Sequence, residues 1–548
     1  MMLKAKNVSA LHLILLLSAV LSLVGIWWGL PNFTGWAPDE LIPSRVIRGM
    51  SQFFSHGWQD KYPPFHYYLI SLLYVPFWIL HRLQMLDWSR LNVYTVLFYL
   101  ARLLSAAMGT GIVYLVYRCG REIYDRRASL FAALITSLLV PFVYYSKTAN
   151  LDVPYMFWVL WSLYFFIRIL KAHRTKDCLL FALTAALAVC TKDLAYGLYV
   201  FAPFFVVWSD WRDRRQTSAS VPFLRLIGSR KYLSAAALAA GVFLLIHNVI
   251  FNWSGFLIHF RRITGPGRKL YAHYPGSLAG RLELLGETVK QIQGCLGWPL
   301  FLICVGGLVW FLAQKKKDYL LLSLLGLASS YYLFYINIIL YNFARFNLPI
   351  CVILAFYGGR LLSDVLTARW RLLPARRLAV AFIFLYSFFY ASSVDILMVK
   401  DSRYAAERWM KANIPPQALI GVAAPVEYSP RLRGFKWEET PRSLPVFSGS
   451  PKPDYIVVDR DYARRFEPGT KPFLFFSGFH NQTERYKLVY DYKTRLPWLF
   501  LRQRFIMKQI NLINPEIQIY KKVDQPGAES TPEPPDASNF QVRLATQK

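Results

Sequence analysis

Apolar runs of nearly twenty residues recur through the first four hundred positions, and this feature limits the fold more than any other. Wound as a helix, such a run matches the roughly 30 Å hydrocarbon core of a bilayer. Lipid offers no hydrogen-bond partner, so a crossing segment must satisfy its own backbone, as a helix does. The runs predict spans at about 10–30, 93–117, 128–146, 153–170, 178–191, 195–210, 232–252, 294–313, 319–340, 348–364 and 378–397. The expected fold is an all-α polytopic membrane bundle of about 11 transmembrane helices over residues 1–399, with a small α/β extracytoplasmic C-terminal domain over 400–522.

The net charge of +31 would suggest nucleic acid on a soluble chain. Here Lys and Arg gather in short clusters between apolar runs, such as Arg118, Arg121, Arg126 and Arg127, or Lys315, Lys316 and Lys317. The positive-inside rule places these clusters, with Lys4 and Lys6, in the cytoplasm, where membrane lipids are the anionic partner. No zinc finger or aromatic–basic motif supports nucleic acid as a partner. The six cysteines form no C-x-x-C pair and lie in or beside apolar runs, which gives neither a disulfide framework nor a cysteine zinc site.

Charge parity leaves one run over. Residues 64–82 look long enough to cross, but they start at Pro63-Pro64, are broken by Pro76 and carry His66 and several tyrosines. A helix at the interface, or one re-entering the membrane, suits them better. Residues 31–92 then form a long first outer loop, and 253–293 a second. Beyond residue 400, 402–416 reads as an amphipathic helix stopped by Pro415-Pro416, and 418–425, 454–459, 486–492 and 516–522 as short strands. Residues 523–548, rich in Pro, Ser, Glu and Gln, read as a disordered tail.

Candidate chemistry gathers at the outer ends of spans. Asp39 and Glu40 are adjacent carboxylates just beyond the first span, in a chain with only 32 acidic residues against 63 basic ones. They could simply cap an interfacial helix, or act as a catalytic pair. Lys61, beside the Pro-Pro pair, could meet a phosphate or snorkel to headgroups. Asp152 stands at the start of the fourth span, and Lys192 with Asp193 at a turn between two short ones. The second outer loop holds His259, Arg261, Arg262, Arg268, Lys269 and His273, a basic set suited to a phosphate or pyrophosphate. Arg345 lies at an outer helix end, where an arginine pointing into a membrane-level cavity is a functional candidate.

Taken in order, these segments resemble the GT-C superfamily of polytopic glycosyltransferases, closest to its protein O-mannosyltransferase and lipid A aminoarabinose transferase branch. The matching patterns are the acidic pair Asp39-Glu40, the Pro-Pro interfacial helix, residues 101–135 (ARLLSAAMGTGIVYLVYRCGREIYDRRASLFAALI), YYSKTANLDVP with Asp152, Thr191-Lys192, and RFNLP at 345–349. The Asp-Lys-Tyr-Pro-Pro stretch differs from the Glu-Lys-Pro form of the aminoarabinose branch, which leaves the donor open. The resemblance implies an enzyme of a cell envelope, in a bacterial plasma membrane, with its N-terminus cytoplasmic. It implies transfer from a polyprenyl-phosphate sugar to a lipid, glycan or protein hydroxyl outside the cytoplasm, with inversion and Asp39 as base. Glu40 and Asp152 would assist, and Lys61, Lys192, Arg345, Arg261 and Arg262 would hold the donor phosphate. No cofactor is demanded; a divalent metal is compatible. A lipid-linked sugar flippase or an O-antigen ligase or polymerase-type enzyme are the competing readings.

Overall fold

The computed structural model describes residues 2–55, 61–216, 222–265, 272–368, 373–439, 453–480, 486–496, 498 and 513–523. The expected tail from 524 onward and residues 266–271 of the second long loop, with Arg268 and Lys269, lie outside them. The chain separates into two compact units, Met1–Asp401 with Thr494–Asn514, and Ser402–Lys493 with Pro515–Lys548. The return of Thr494–Asn514 to the helical unit has no signal in the hydropathy pattern. It is held there by hydrogen bonds: Thr494 Oγ1 donates to the Lys400 carbonyl at 2.5 Å, and the Asn514 amide donates to Asp401 at 2.8 Å.

The helical unit contains α1 (Met2–Leu23), α2 (Pro43–Ser51), α3 (Phe65–Arg82), α4 (Leu91–Ile123), α5 (Arg126–Ser137), α6 (Val140–Tyr145), α7 (Asp152–Ala172) and α8 (Thr175–Thr191). It continues with α9 (Tyr196–Tyr199), α10 (Ala202–Gln216), α11 (Phe223–Ile227), α12 (Arg230–Ile246), α13 (Trp253–Thr264), α14 (Leu278–Ala313), α15 (Tyr319–Tyr331), α16 (Asn337–Ile339), α17 (Leu348–Thr367) and α18 (Leu373–Val399). Side-chain caps start several of them: Asp125 accepts from the Ala128 amide, Asn252 from Gly255 and Ser277 from Gly280. Each satisfies an amide that a helix leaves without a partner in its first turn.

Among the described residues six stretches are long and apolar enough to cross a membrane: α4, α7, α14, Tyr319–Ile339, Ala344–Thr367 and the stretch opened by α18. These are six of the expected spans, and the rest are shorter or broken. The apolar part of the first helix, Ala10–Leu23, stops before Gly25 and Gly29, both at positive φ. The run at 128–146 divides into α5 and α6 before Pro141, and 195–210 divides into a 3-10 turn, α9 and α10. The helices α8 and α12 have 17 residues each, about 26 Å of rise. The stretch expected to be the second outer loop, 253–293, is largely helical, because α13 lies within it and α14 begins at Leu278 rather than 294. Gly297, at φ 70°, kinks α14 just ahead of Pro299.

Packing within this unit centres on α17, which meets both α5 and α14. A Cβ on Gly307 would lie 2.3 Å from the Tyr357 carbonyl oxygen, so α14 approaches α17 at a distance only glycine permits. Large apolar side chains on the outer faces of α14 and α18, such as Leu302, Val309, Leu378 and Phe382, are exposed, as lipid-facing positions would be.

The second unit holds α19 (Ser402–Asn413), α20 (Arg460–Ala463), α21 (Lys471–His480) and a five-stranded sheet. Its strands are β1 (Leu419–Val422), β2 (Lys436–Glu439), β3 (Tyr455–Asp459), β4 (Tyr486–Tyr492) and β5 (Ile517–Lys522), in the order β2-β1-β3-β5-β4. β1 is parallel to β2 and β3, while β5 is antiparallel to β3 and β4. Ala406 and Met410 of α19 pack with Ile420, Val457 and Ile519 on one face; Phe475 packs with Ile456, Val458 and Tyr520 on the other. β3 is buried throughout, which is why it reads as a continuous apolar run. β2, with the sequence Lys-Trp-Glu-Glu, carries no such pattern and escapes the sequence analysis.

Candidate active site

Five charged side chains from five distant segments of the helical unit meet in three ion pairs, which form two groups. Asp39 comes from the loop after α1, Lys61 from the approach to α3, and Asp152 is the first residue of α7. Lys192 caps the C-terminus of α8, and Arg345 sits in the 3-10 turn Ala344–Asn347 before α17. Asp39 Oδ1 accepts from Lys61 Nζ at 2.5 Å, and Asp39 Oδ2 from Arg345 Nη2 at 3.2 Å. Asp152 accepts from Lys192 Nζ at 2.7 Å. The Tyr62 ring joins the two groups, its centroid 5.3 Å from Lys61 Nζ and 5.9 Å from Lys192 Nζ. Tyr155 and Phe346 also stand within 6.0 Å of the Lys192 ammonium, an arrangement that attracts a desolvated cation to aromatic faces.

Burial alone would raise the Asp39 pKa, but Arg345 and Lys61 outweigh it and hold the carboxyl well below its usual range. Asp39 is therefore ionised at neutral pH. Burial pushes the Lys192 ammonium down, opposed by Asp152, and burial together with the Asp39 charge pushes the Tyr62 phenol up. Three cations against two carboxylates leave one positive charge over. The Asp39 and Lys61 side chains are 25% and 42% exposed, and those of Asp152 and Lys192 only 2% and 8%, so ligands reach the first pair more readily.

The backbone presents Asp39 in a constrained way. Its φ of 60° lies in the left-handed region, which costs most residues about 1–2 kcal/mol and which Asp visits more readily than most. The segment is fastened on both sides by the loop before α7. The Leu41 amide donates to the Ala149 carbonyl at 3.0 Å, and Asn150 Nδ2 donates to the Pro38 carbonyl at 2.7 Å.

Glu40 has a different setting from its neighbour. It is buried, and its two oxygens accept from Arg102 Nε and Nη2 at 2.7 and 2.8 Å, while Oε1 also accepts from the Ala149 amide. Arg102, in the middle of α4, uses Nη1 on the Ile26 and Trp28 carbonyls. Gly35 lies against this pair: a Cβ there would sit 2.8 Å from Glu40 Oε2, and its φ is 67°. Glu40 therefore positions the loop that carries Asp39. Sequence reasoning missed Arg102, although an arginine inside an apolar run demands a partner. It also missed Lys147, which pairs with Asp395 of α18 and donates to the Val24 carbonyl.

Arg261 and Arg262 lie exposed in the last turn of α13 and are not part of the ionic cluster. The inward face of the same helix carries His259, buried, whose Nε2 lies 3.2 Å from Asp193 Oδ1. His247, at the end of α12, completes a group whose donor atoms all lie within 4.8 Å of one another. Both histidines line a small pocket shared with Tyr62 and Pro64. By contrast, Asp39 and Asp152 are each neutralised by basic side chains and make a poor donor set for a cation.

Residues 92–244 match the family described as dolichyl-phosphate-mannose-protein mannosyltransferase. They run from α4 to α12 and contain Asp152 and Lys192. No curated protein matches the sequence. Among solved structures, the apo oligosaccharyltransferase of Archaeoglobus fulgidus aligns with a TM-score of 0.50 at 14% identity, over 94% of this chain and 88% of that one. Its complex with Zn and sulfate gives 0.50 at 13% identity with the same coverage. ArnT from Cupriavidus metallidurans bound to undecaprenyl phosphate aligns at 13% identity over 96% of this chain and 99% of that one, with a TM-score of 0.48. The chain thus shares the fold of the Archaeoglobus fulgidus oligosaccharyltransferase, and residues 92–244 carry the pattern of the protein mannosyltransferase family.

Proposed function

We propose that this chain is an integral membrane glycosyltransferase that moves a sugar from a polyprenyl-phosphate carrier to an acceptor hydroxyl on the extracytoplasmic side, with inversion. The observation that carries the reading is the meeting of Asp39, Lys61, Asp152, Lys192 and Arg345 at the ends of apolar helices, with positive charge in excess. A carrier lipid keeps its tail in the bilayer, so its anomeric carbon reacts near the membrane surface, where helix ends stand. The acceptor is a lipid, glycan or protein hydroxyl, and the membrane is a bacterial plasma membrane crossed eleven times.

An inverting displacement needs a base on the acceptor side and a cationic group on the phosphate side. Asp39 takes the hydroxyl proton as the acceptor oxygen bonds to the anomeric carbon, a role worth about 10²–10⁴-fold. The glycosidic electron pair leaves with the carrier phosphate, which Arg345 and Lys61 receive: the arginine as a fork, the lysine as a point charge. In the resting protein those two cations bind Asp39 itself. Donor phosphate competes for them, and as they turn to it Asp39 regains basicity. Asp152 and Lys192, more deeply buried, hold sugar hydroxyls and the far side of the phosphate. The donor set at Asp39 does not favour a metal, and no step needs one.

The test is purified Asp39→Asn protein offered a panel of polyprenyl-phosphate sugars, with released carrier phosphate and carrier binding both measured. Turnover is expected to fall at least about 10²-fold while binding persists. Turnover near that of the unchanged protein sinks the proposed base.

A further inference from the structure

We infer that Asp193, His247 and His259 form a binding site for a divalent metal of the zinc class, separate from the ionic cluster. A tetrahedral zinc ion with bonds of about 2.0–2.1 Å holds its ligand atoms about 3.3 Å apart. His259 Nε2 and Asp193 Oδ1 already stand 3.2 Å apart, and the third donor lies within 4.8 Å of both. Two imidazoles and one carboxylate suit zinc and its neighbours better than magnesium or calcium, which prefer all-oxygen sites.

A second observation concerns the far side of the His247 ring. Its Nδ1 lies 3.2 Å from the Phe243 carbonyl oxygen and 3.5 Å from Cys190 Sγ. A carbonyl can only accept, so the tautomer with the proton on Nδ1 fits this contact and leaves Nε2 its lone pair. Metal-bound histidines show this arrangement, with the other ring nitrogen donating to a backbone carbonyl. Asp193 also differs from the two carboxylates of the ionic cluster. Among the described residues its ion pair is with His259, a neutral ligand when deprotonated, and not with a permanently charged side chain.

Three protein donors leave a fourth position for water or an anionic oxygen, and both histidines line the pocket shared with Tyr62 and Pro64. The metal would also pin α13 to the turn that begins at Lys192, one residue before Asp193. These points rest on the three side chains and their partners, independently of the transferase reading.

The test uses full-length protein in detergent, stripped with chelator, loaded with Zn2+ or Co2+ alone and desalted. Metal content and the visible spectrum of the Co2+ form are then recorded. We expect about one Zn2+ per chain and the Co2+ bands of a four-coordinate site. We expect loss of both in the His247→Ala, His259→Ala double variant, and retention of both in Asp39→Asn. Unchanged protein that retains no Zn2+ overturns the site, whether or not the double variant folds. Equal retention by a folded double variant, or loss in Asp39→Asn, also overturns it, because the ion would then sit elsewhere.

Discussion

Asp39 and Glu40 are the same functional group one position apart, and their surroundings differ sharply. Asp39 is partly exposed and held by cations that a phosphate could draw away, whereas Glu40 is sealed against Arg102 with every strong contact made within the protein. The adjacent acids are legible in the sequence as a pair, but the difference in their settings depends on Arg102, 62 positions further on. A buried ion pair contributes little net stability while both partners are present, yet removing one strands the other charge. Arg102→Met is therefore expected to destabilise the helical unit by about 3–5 kcal/mol. A fall in the thermal midpoint of the purified protein, partly restored by adding Glu40→Gln, would bear this out. An unchanged midpoint would mean that Glu40 finds water or another donor.

At the scale of elements, hydropathy tracks helices well where a run is unbroken and poorly where glycine or proline interrupts it. The runs at 93–117 and 153–170 became α4 and α7, whereas 128–146 split in two, because a local break barely changes the mean hydropathy of a window. The strands β1, β3, β4 and β5 were readable from apolar or alternating residues; β2, mostly exposed, was not. β3 ends in a buried carboxyl. Asp459 accepts from the Tyr462 amide at 2.9 Å and caps α20, and burial pushes its pKa up to about 7. The folded carboxyl then keeps its proton up to about pH 7, and the unfolded one only to about 3.9, so stability falls as pH rises between those values. Asp459→Asn, which can still cap the helix, should raise hydrogen-exchange protection of β3 at pH 8 and change little at pH 4. Equal effects at both pH values would show that the carboxyl is not buried in its protonated form.

For the whole molecule, the proposed orientation makes a prediction of its own. With a cytoplasmic N-terminus and α3 not crossing, a reporter fused after Arg82 should read as extracytoplasmic, as should one after Lys400. A cytoplasmic signal after Arg82 would make α3 a crossing helix, set Asp39 and Lys61 before it apart from Asp152, Lys192 and Arg345 after it, and dismantle the proposed site. By itself the sequence determined that the first four hundred residues are helical and suited to lipid, because an apolar run has few other ways to satisfy its backbone there. It also placed most acids and bases at the ends of apolar runs, since mid-bilayer charge is costly, with Arg102 inside α4 the exception. The tertiary structure alone decided which charges meet. Asp39 and Arg345 stand 306 positions apart, and Asp193 with His259 stand 66 apart. Pairing at such distances is set by how helices pack, and hydropathy read along a chain records burial but not the identity of the neighbour.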